Sequence, residues 1–197
     1  MQGNLAVTGD VDADELLRSD PFALLLGMML DQQVPMEWAF MGPYRLRERL
    51  GRLDPAAMAA TDPEALTAAF AAKPALHRFP ASMAKRAHAL ACQIVDQYGG
   101  DAARIWEGAP SAAQVMANLR ALPGFGEEKA KIFLAMLAKR FGVTPEGWQE
   151  TTAPFGDDQA RSVADVDGPE SLEQVRSYKK ELKAKGKDKQ GRASAAP

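Results

Sequence analysis

The chain has one cysteine, Cys92, among 197 residues. A single thiol excludes an internal disulfide, a four-cysteine zinc site and a four-cysteine iron–sulfur cluster. On sequence grounds Cys92 reads as a small buried hydrophobe. Histidine is almost as scarce: only His77 and His88 occur, eleven residues apart and off the i, i+4 spacing of a helical metal pair. No apolar run reaches the roughly 18 residues of a membrane span. The opening Met1-Gln2-Gly3-Asn4-Leu5 lacks the basic and apolar regions of a secretory signal. Runs of β-branched residues are missing too, which removes the main strand signal. These absences lead to the expectation of a cytoplasmic, non-membrane, all-α protein.

What is present favours helix. Hydrophobic residues make up 46% and charged residues 25%, a globular balance. Ala, Leu, Met, Arg and Glu, all good helix formers, are abundant. Asp20-Pro21, Asp54-Pro55 and Asp62-Pro63 each pair a capping carboxylate with a proline suited to the first helical position. Capping boxes are expected at Ser111–Gln114 and Ser171–Gln174. The spacing predicts helices over 12–18, 21–31, 36–50, 55–59, 63–72, 81–98, 101–107, 111–121, 127–141 and 171–185. The segment 143–170 is less regular, with Pro145, Pro154, Gly156, Gly168 and Pro169. No internal repeat is evident.

The net charge of −2 does not suggest nucleic acid. Its distribution does more. Arg176 to Arg192 holds eight Lys/Arg against Glu181 and Asp188, a local charge of +6, which leaves about −8 on the rest. DNA held by an acidic body must be held at a local site. From Lys183 the apolar residues thin out, and 183–197 reads as a basic, flexible tail.

The sharpest motif is Leu122-Pro123-Gly124-Phe125-Gly126, set between two strong helical patterns. Proline stops the first helix. The glycines permit positive φ and a close approach to the backbone. Phe125 can plug the hairpin into the core, while the following helix offers unpaired N–H groups to a phosphate oxygen. Lys129 and Lys131 add charge. Such contacts grip backbone and read no base. The plainer alternative is an ordinary helix–helix turn.

On this hairpin the chain resembles the helix-hairpin-helix–GPD superfamily of base-excision DNA glycosylases over residues 21–142. Two further segments carry the resemblance: Phe22-Ala23-Leu24-Leu25-Leu26-Gly27-Met28-Met29-Leu30-Asp31-Gln32-Gln33-Val34, and Leu76-His77-Arg78-Phe79-Pro80 followed by Lys85-Arg86-Ala87. As a whole the chain is similar to a small actinobacterial group assigned to that superfamily. The resemblance implies a two-lobed all-α fold, with 21–142 as a six-helix lobe and 1–20 plus 143–182 as the second. It implies bent double-stranded DNA, a damaged base flipped into a pocket, and a side chain filling the gap. Gln33 is the gap-filling candidate; Gln32 and Gln33 as plain surface residues at a helix end is the alternative.

The sequence departs from the family where catalysis is concerned. Family enzymes place an aspartate after the second hairpin helix, a fixed negative charge beside a developing positive one. Here that position is Gln149, or Glu146 when counted without gaps from the hairpin. Glu150, Asp157 and Asp158 are the other nearby carboxylates, and Asp157 joins Glu146 and Gln149 as a catalytic candidate. Glu128 stands where bifunctional members carry a Schiff-base lysine, which disfavours strand cleavage. Trp148 is the base-stacking candidate; a tryptophan packed in the core is the alternative. No cofactor is expected and no iron–sulfur cluster. A monovalent cation on hairpin carbonyls is implied by the resemblance. The expected protein is a monomer, nucleoid-associated when bound, acting as a monofunctional DNA N-glycosylase. A non-catalytic binder of distorted DNA is the alternative, and a protein-interaction scaffold the third reading.

Overall fold

The structure is a computed structural model that describes residues 3–186. Ten α-helices carry the fold: α1 Val11–Ser19, α2 Pro21–Leu30, α3 Met36–Leu50, α4 Pro55–Ala60, α5 Pro63–Ala71, α6 Pro80–Tyr98, α7 Ala112–Arg120, α8 Glu127–Phe141, α9 Trp148–Thr152 and α10 Pro169–Ala184. Short 3₁₀ turns at Ala102–Ile105 and Val163–Asp165 complete it, and no strand occurs among the described residues. The all-α expectation holds. The tail expectation for 183–197 falls, from 187 onward, outside the described residues.

The Asp-Pro starts work as their chemistry requires. Asp20 accepts from the N–H groups of Phe22 and Ala23, Asp54 from Ala57, and Asp62 from Glu64 and Ala65. Each carboxylate satisfies donors that the first turn leaves orphaned. Ser111 caps α7 through Gln114 N–H, but the Gln114 side chain turns to Asn118 instead of completing a box. At α10 the expectation is corrected. The helix opens at Pro169, and Ser171 sits inside its first turn, where its hydroxyl accepts from the N–H groups of Asp167 and Gly168.

The helix expected over 101–107 shrinks to the Ala102–Ile105 turn, because Trp106 swings into the core (2% exposed) and Gly108 turns left-handed. Within the irregular 143–170 segment a short helix, α9, forms just after Glu146, whose Thr144-Pro145-Glu146 context also suits the first turn of a short helix. It is a single turn, opened by Gly147 and lying on α7 and α8.

α2 is the axis of the molecule. Phe22 through Leu30 are all buried, so the helix is apolar all round, as a central helix must be. Each buried Leu or Met contributes about 1.5–3 kcal/mol by burial. α3 crosses it closely: a Cβ built on Gly42 would stand 2.5 Å from Leu30 Cδ1. α6 covers α4 and α5, and α8 lies among α7, α9 and the Val163–Asp165 turn. One hydrophobic cluster runs from Leu5 to Val175. The N-terminal segment is pinned by Asp14, whose carboxylate accepts from Val7 N–H, Thr8 N–H and the Thr8 hydroxyl. The C-terminal segment is pinned by Lys139–Asp165 (2.6 Å) and Arg140–Asp167 (2.8 Å), and α10 is tied to α3 by Arg176–Glu37.

Candidate nucleic-acid interface

The hairpin joins α7 to α8 through a tight turn closed by Phe125 N–H on the Leu122 carbonyl (3.1 Å). Gly124 has φ +85°, a conformation that L side chains rarely adopt. Phe125 is buried, edge-on to Phe133 with ring centroids 5.7 Å apart, so the turn is plugged into the core. Gly126, extended and exposed, is the N-cap of α8 and has no side chain to cap it. The first N–H groups of this 15-residue helix therefore meet the surface without a capping side chain, the arrangement that suits an anion. Glu127 in that first turn is flanked by Arg120 (3.6 Å) and Lys131 (3.8 Å), which offset its charge. Glu128, half-buried, follows it.

The two hairpin lysines point to different places. Lys129 is directed inward, its ammonium 2.9 Å from the Met29 carbonyl in the last turn of α2. A cation at a helix C-terminus is favourably placed. Lys131 lies along α8, donating to the Ala153 carbonyl (3.3 Å) near Glu127.

Met29 leads to the loop between α2 and α3, where Gln33 is exposed with φ +56°. Among the described non-glycine residues it is the one in the left-handed region. Its neighbour Gln32 is held on every side. The Gln32 amide donates to Met29 O (3.0 Å) and touches Met83 Sδ (3.3 Å), its side-chain oxygen accepts from Arg86 (3.1 Å), and its backbone carbonyl meets His77 Nε2 (2.8 Å). His77 is 1% exposed. Its Nδ1 accepts from Phe79 N–H (3.1 Å), so Nδ1 is unprotonated and Nε2 carries the hydrogen it gives to Gln32. Burial, followed by the nearby charges of Lys129, Arg78 and Arg86, pushes the imidazole below its ordinary value despite the Gln32 bond.

Phe79 is 45% exposed, with the Arg78 guanidinium 4.9 Å over its ring. Gln33 and Phe79 thus emerge on either side of one buried imidazole. Sequence reasoning took Leu76–Pro80 only as a marker of resemblance. The signal for Phe79 is an aromatic set between an arginine and a helix-starting proline, Arg78-Phe79-Pro80.

The catalytic candidates lie elsewhere. Glu146 is exposed, and its carbonyl accepts from Ala112 N–H at the start of α7, the end remote from the hairpin, about 15 Å away by helical rise. The Asp157 carboxylate is engaged by Arg161 at 2.7–3.0 Å, and its carbonyl takes Lys139, roughly 18 Å along α8 from Glu127. Gln149 and Glu150 are exposed on α9, and Trp148 is half-buried against the core. Cys92, half-buried, has its sulfur 3.6 Å from His88 Nδ1. No group of three or more His, Cys, Asp or Glu is placed to hold a metal ion among the described residues. No described helix is long and apolar enough to cross a membrane.

Fold and hairpin together define an all-helical chain with a helix-hairpin-helix. Comparison with known proteins finds no matching family model and no matching curated protein. Solved structures do match. A trapped endonuclease III–DNA covalent intermediate, an estranged-adenine complex, has TM-score 0.44 and 18% identity over 83% of this chain and 73% of its own. A non-covalent endonuclease III–DNA complex has TM-score 0.46 and 19% identity over 82% of this chain and 68% of its own.

Proposed function

We propose that this chain grips duplex DNA at a damaged nucleotide and hydrolyses the base–sugar bond as a monofunctional DNA N-glycosylase. One observation carries the reading: the uncapped start of α8 lies beside an exposed glutamine in left-handed backbone, linked through Lys129 and Met29. The hairpin would hold phosphate, and Gln33, with Phe79 next to it, would fill the space left by an extruded nucleotide. The family resemblance of the L-P-G-F-G segment supports the same reading.

Hydrolysis needs a negative charge beside the sugar and a positioned water. Gln149 can orient a water, and Glu150 beside it is the acid on the same exposed turn. A monovalent cation would be held by hairpin carbonyls, of which Leu122 O keeps a second lone pair beside its bond from Phe125; it would offer a point charge to a phosphate oxygen. Glu128 supplies no amine, which supports base release without strand cleavage.

A second reading, non-catalytic recognition of distorted DNA, is favoured by the remoteness of Glu146 and Asp157 from the hairpin. A base-release assay separates the two. Duplexes carrying uracil, hypoxanthine, alkylated purine or 8-oxoguanine are incubated with the protein, and abasic product is broken with alkali. Release lost on Glu150→Gln and kept on Glu146→Gln and Asp157→Asn is the expected result. No release from any lesion, with tight binding to an abasic duplex, replaces the enzyme by the binder. No binding to any duplex removes both.

A further inference from the structure

We infer that His77 is a positioning residue that holds the Gln33 wedge ready before DNA arrives, with Arg86 as its second arm. The inference rests on the reading that Gln33 enters the duplex. It adds the device that makes such entry economical, which is a preorganised backbone.

A glutamine in left-handed backbone is uphill unless its surroundings fix it. Here the fixing contacts fall on the residue before it. His77 Nε2–H donates to the Gln32 carbonyl from a site closed to water, and the same ring accepts Phe79 N–H through Nδ1. The first bond is long-range, since His77 and Gln32 are forty-five residues apart, while the second fixes the ring to the backbone two residues on. Arg86 adds a contact from α6, donating to the Gln32 side chain while its methylenes lie against Gly124 of the hairpin. Lys129 closes the ring from α8 by donating to Met29 O. The wedge loop is therefore built on the phosphate-gripping hairpin and on the base of Phe79. Preorganisation of this kind lowers the ordering cost paid on binding.

The ring works only in its neutral form. An imidazolium has hydrogens on both nitrogens and cannot accept from Phe79. The charged groups facing it, Arg78 beside it, Arg86 on α6 and Lys129 on α8, all oppose protonation. Leucine at 77 keeps the apolar volume and removes both bonds. Glutamine restores a donor at the reach of Nε2.

The test uses the full chain with a labelled duplex bearing one tetrahydrofuran abasic analogue, and the same duplex intact. His77→Leu is expected to lose about tenfold on the abasic duplex, the worth of one buried carbonyl left unpaired, and less than about twofold on the intact one. His77→Gln recovers most of the loss. In a Gln33→Ala background, His77→Leu costs nothing further. Equal losses on both duplexes, or additive losses in the double variant, overturn the inference. Nuclear magnetic resonance of the ¹⁵N-labelled protein without DNA supplies an independent arm. The expected results are an Nε2–H imidazole, and a short intraresidue HN–Hα distance at Gln33 that lengthens in His77→Leu. If that distance persists in a folded His77→Leu, His77 does not position the loop. If wild type shows no preference for the abasic duplex while the resonance arm holds, the positioning stands and the proposed function fails.

Discussion

Arg86 lies across Gly124: a Cβ built on the glycine would stand 2.7 Å from Arg86 Cδ and 3.2 Å from Met29 Cγ. The hairpin glycine is thus committed twice, by its positive φ and by the side chain over it. Gly124→Ala is expected to lower stability by about 1–3 kcal/mol and to weaken duplex binding at least tenfold. Thermal melting and fluorescence anisotropy read the two effects separately. A variant that melts like wild type and binds like it would show that the hairpin is an ordinary turn.

Lys131 is the hairpin lysine nearest to serving a phosphate directly, since Lys129 is directed inward to Met29. Replacing a phosphate-contacting lysine reduces the slope of log K against log salt by about one. Lys131→Ala should therefore flatten that slope, measured by anisotropy from low to moderate salt, and weaken intact and abasic duplexes alike. An unchanged slope would assign Lys131 to the contact with Ala153 alone.

Acid should destabilise the fold in two stages. His77 is depressed, chiefly by burial, so its neutral form favours the native state. That contribution is complete above about 6.5, the free imidazole value, and is lost as pH falls towards the lower folded value. Asp167 is depressed by the Ser171 hydroxyl and then by Arg140, against some burial. Asp157 is also depressed: burial raises it, but the Arg161 bonds, Gln159 N–H and Lys139 outweigh that. Their contributions persist until pH falls below about 3.8 and disappear beneath it. Urea midpoints measured from pH 8 to pH 3 should show both declines. His77→Gln should remove the first and leave the second.

Lys139 and Asp165 form the buried ion pair of the C-terminal segment, 2.6 Å apart with side chains 11% and 9% exposed. The second Asp165 oxygen accepts from the N–H groups of Arg161 and Ser162. Asp165→Ala leaves a largely buried ammonium without its carboxylate, and a loss of about 3–5 kcal/mol is expected, roughly 6–20 °C in melting temperature. The exposed Asp157–Arg161 pair should cost far less when cut. Calorimetry on the two alanine variants checks the ranking.

On the proposed monofunctional reading, in which Glu128 takes the position of a Schiff-base lysine, borohydride reduction in the presence of an abasic duplex should trap no covalent adduct, and the neighbouring Lys129 is bonded to Met29 O. A trapped species that vanishes in Lys129→Ala would move the chemistry to that neighbouring amine.

Much of this molecule can be read from local chemistry. The three Asp-Pro starts, the all-apolar α2 and the hairpin each declare themselves within a few residues, because a cap, a periodicity or a turn is a short-range object. Other features needed the fold. The place of α9 is set by its packing on α7 and α8, elements outside its own few residues. Glu146 and Asp157 look close to the hairpin in sequence, but α8 carries the chain away before either occurs. From sequence, His77 could be set aside as half of a helical metal pair and placed in the Leu76–Pro80 segment, but its partner lies forty-five residues earlier and only the fold brings the two together. Ser171 carried a genuine capping signal, and only Pro169 two residues before it decided where the helix would begin.

His77 has a consequence for how this surface can change over generations. The ring grips main-chain atoms: the carbonyl of Gln32 on one side and the N–H of Phe79 on the other. The side chains at 33 and 79 take no part in those bonds. They are interchangeable fittings on a fixed mount, so either can be replaced without rebuilding what carries it. On the proposed reading, lesion preference is retuned by substitution at 33 and 79 alone, while the imidazole between them is fixed by two backbone bonds, one through each ring nitrogen.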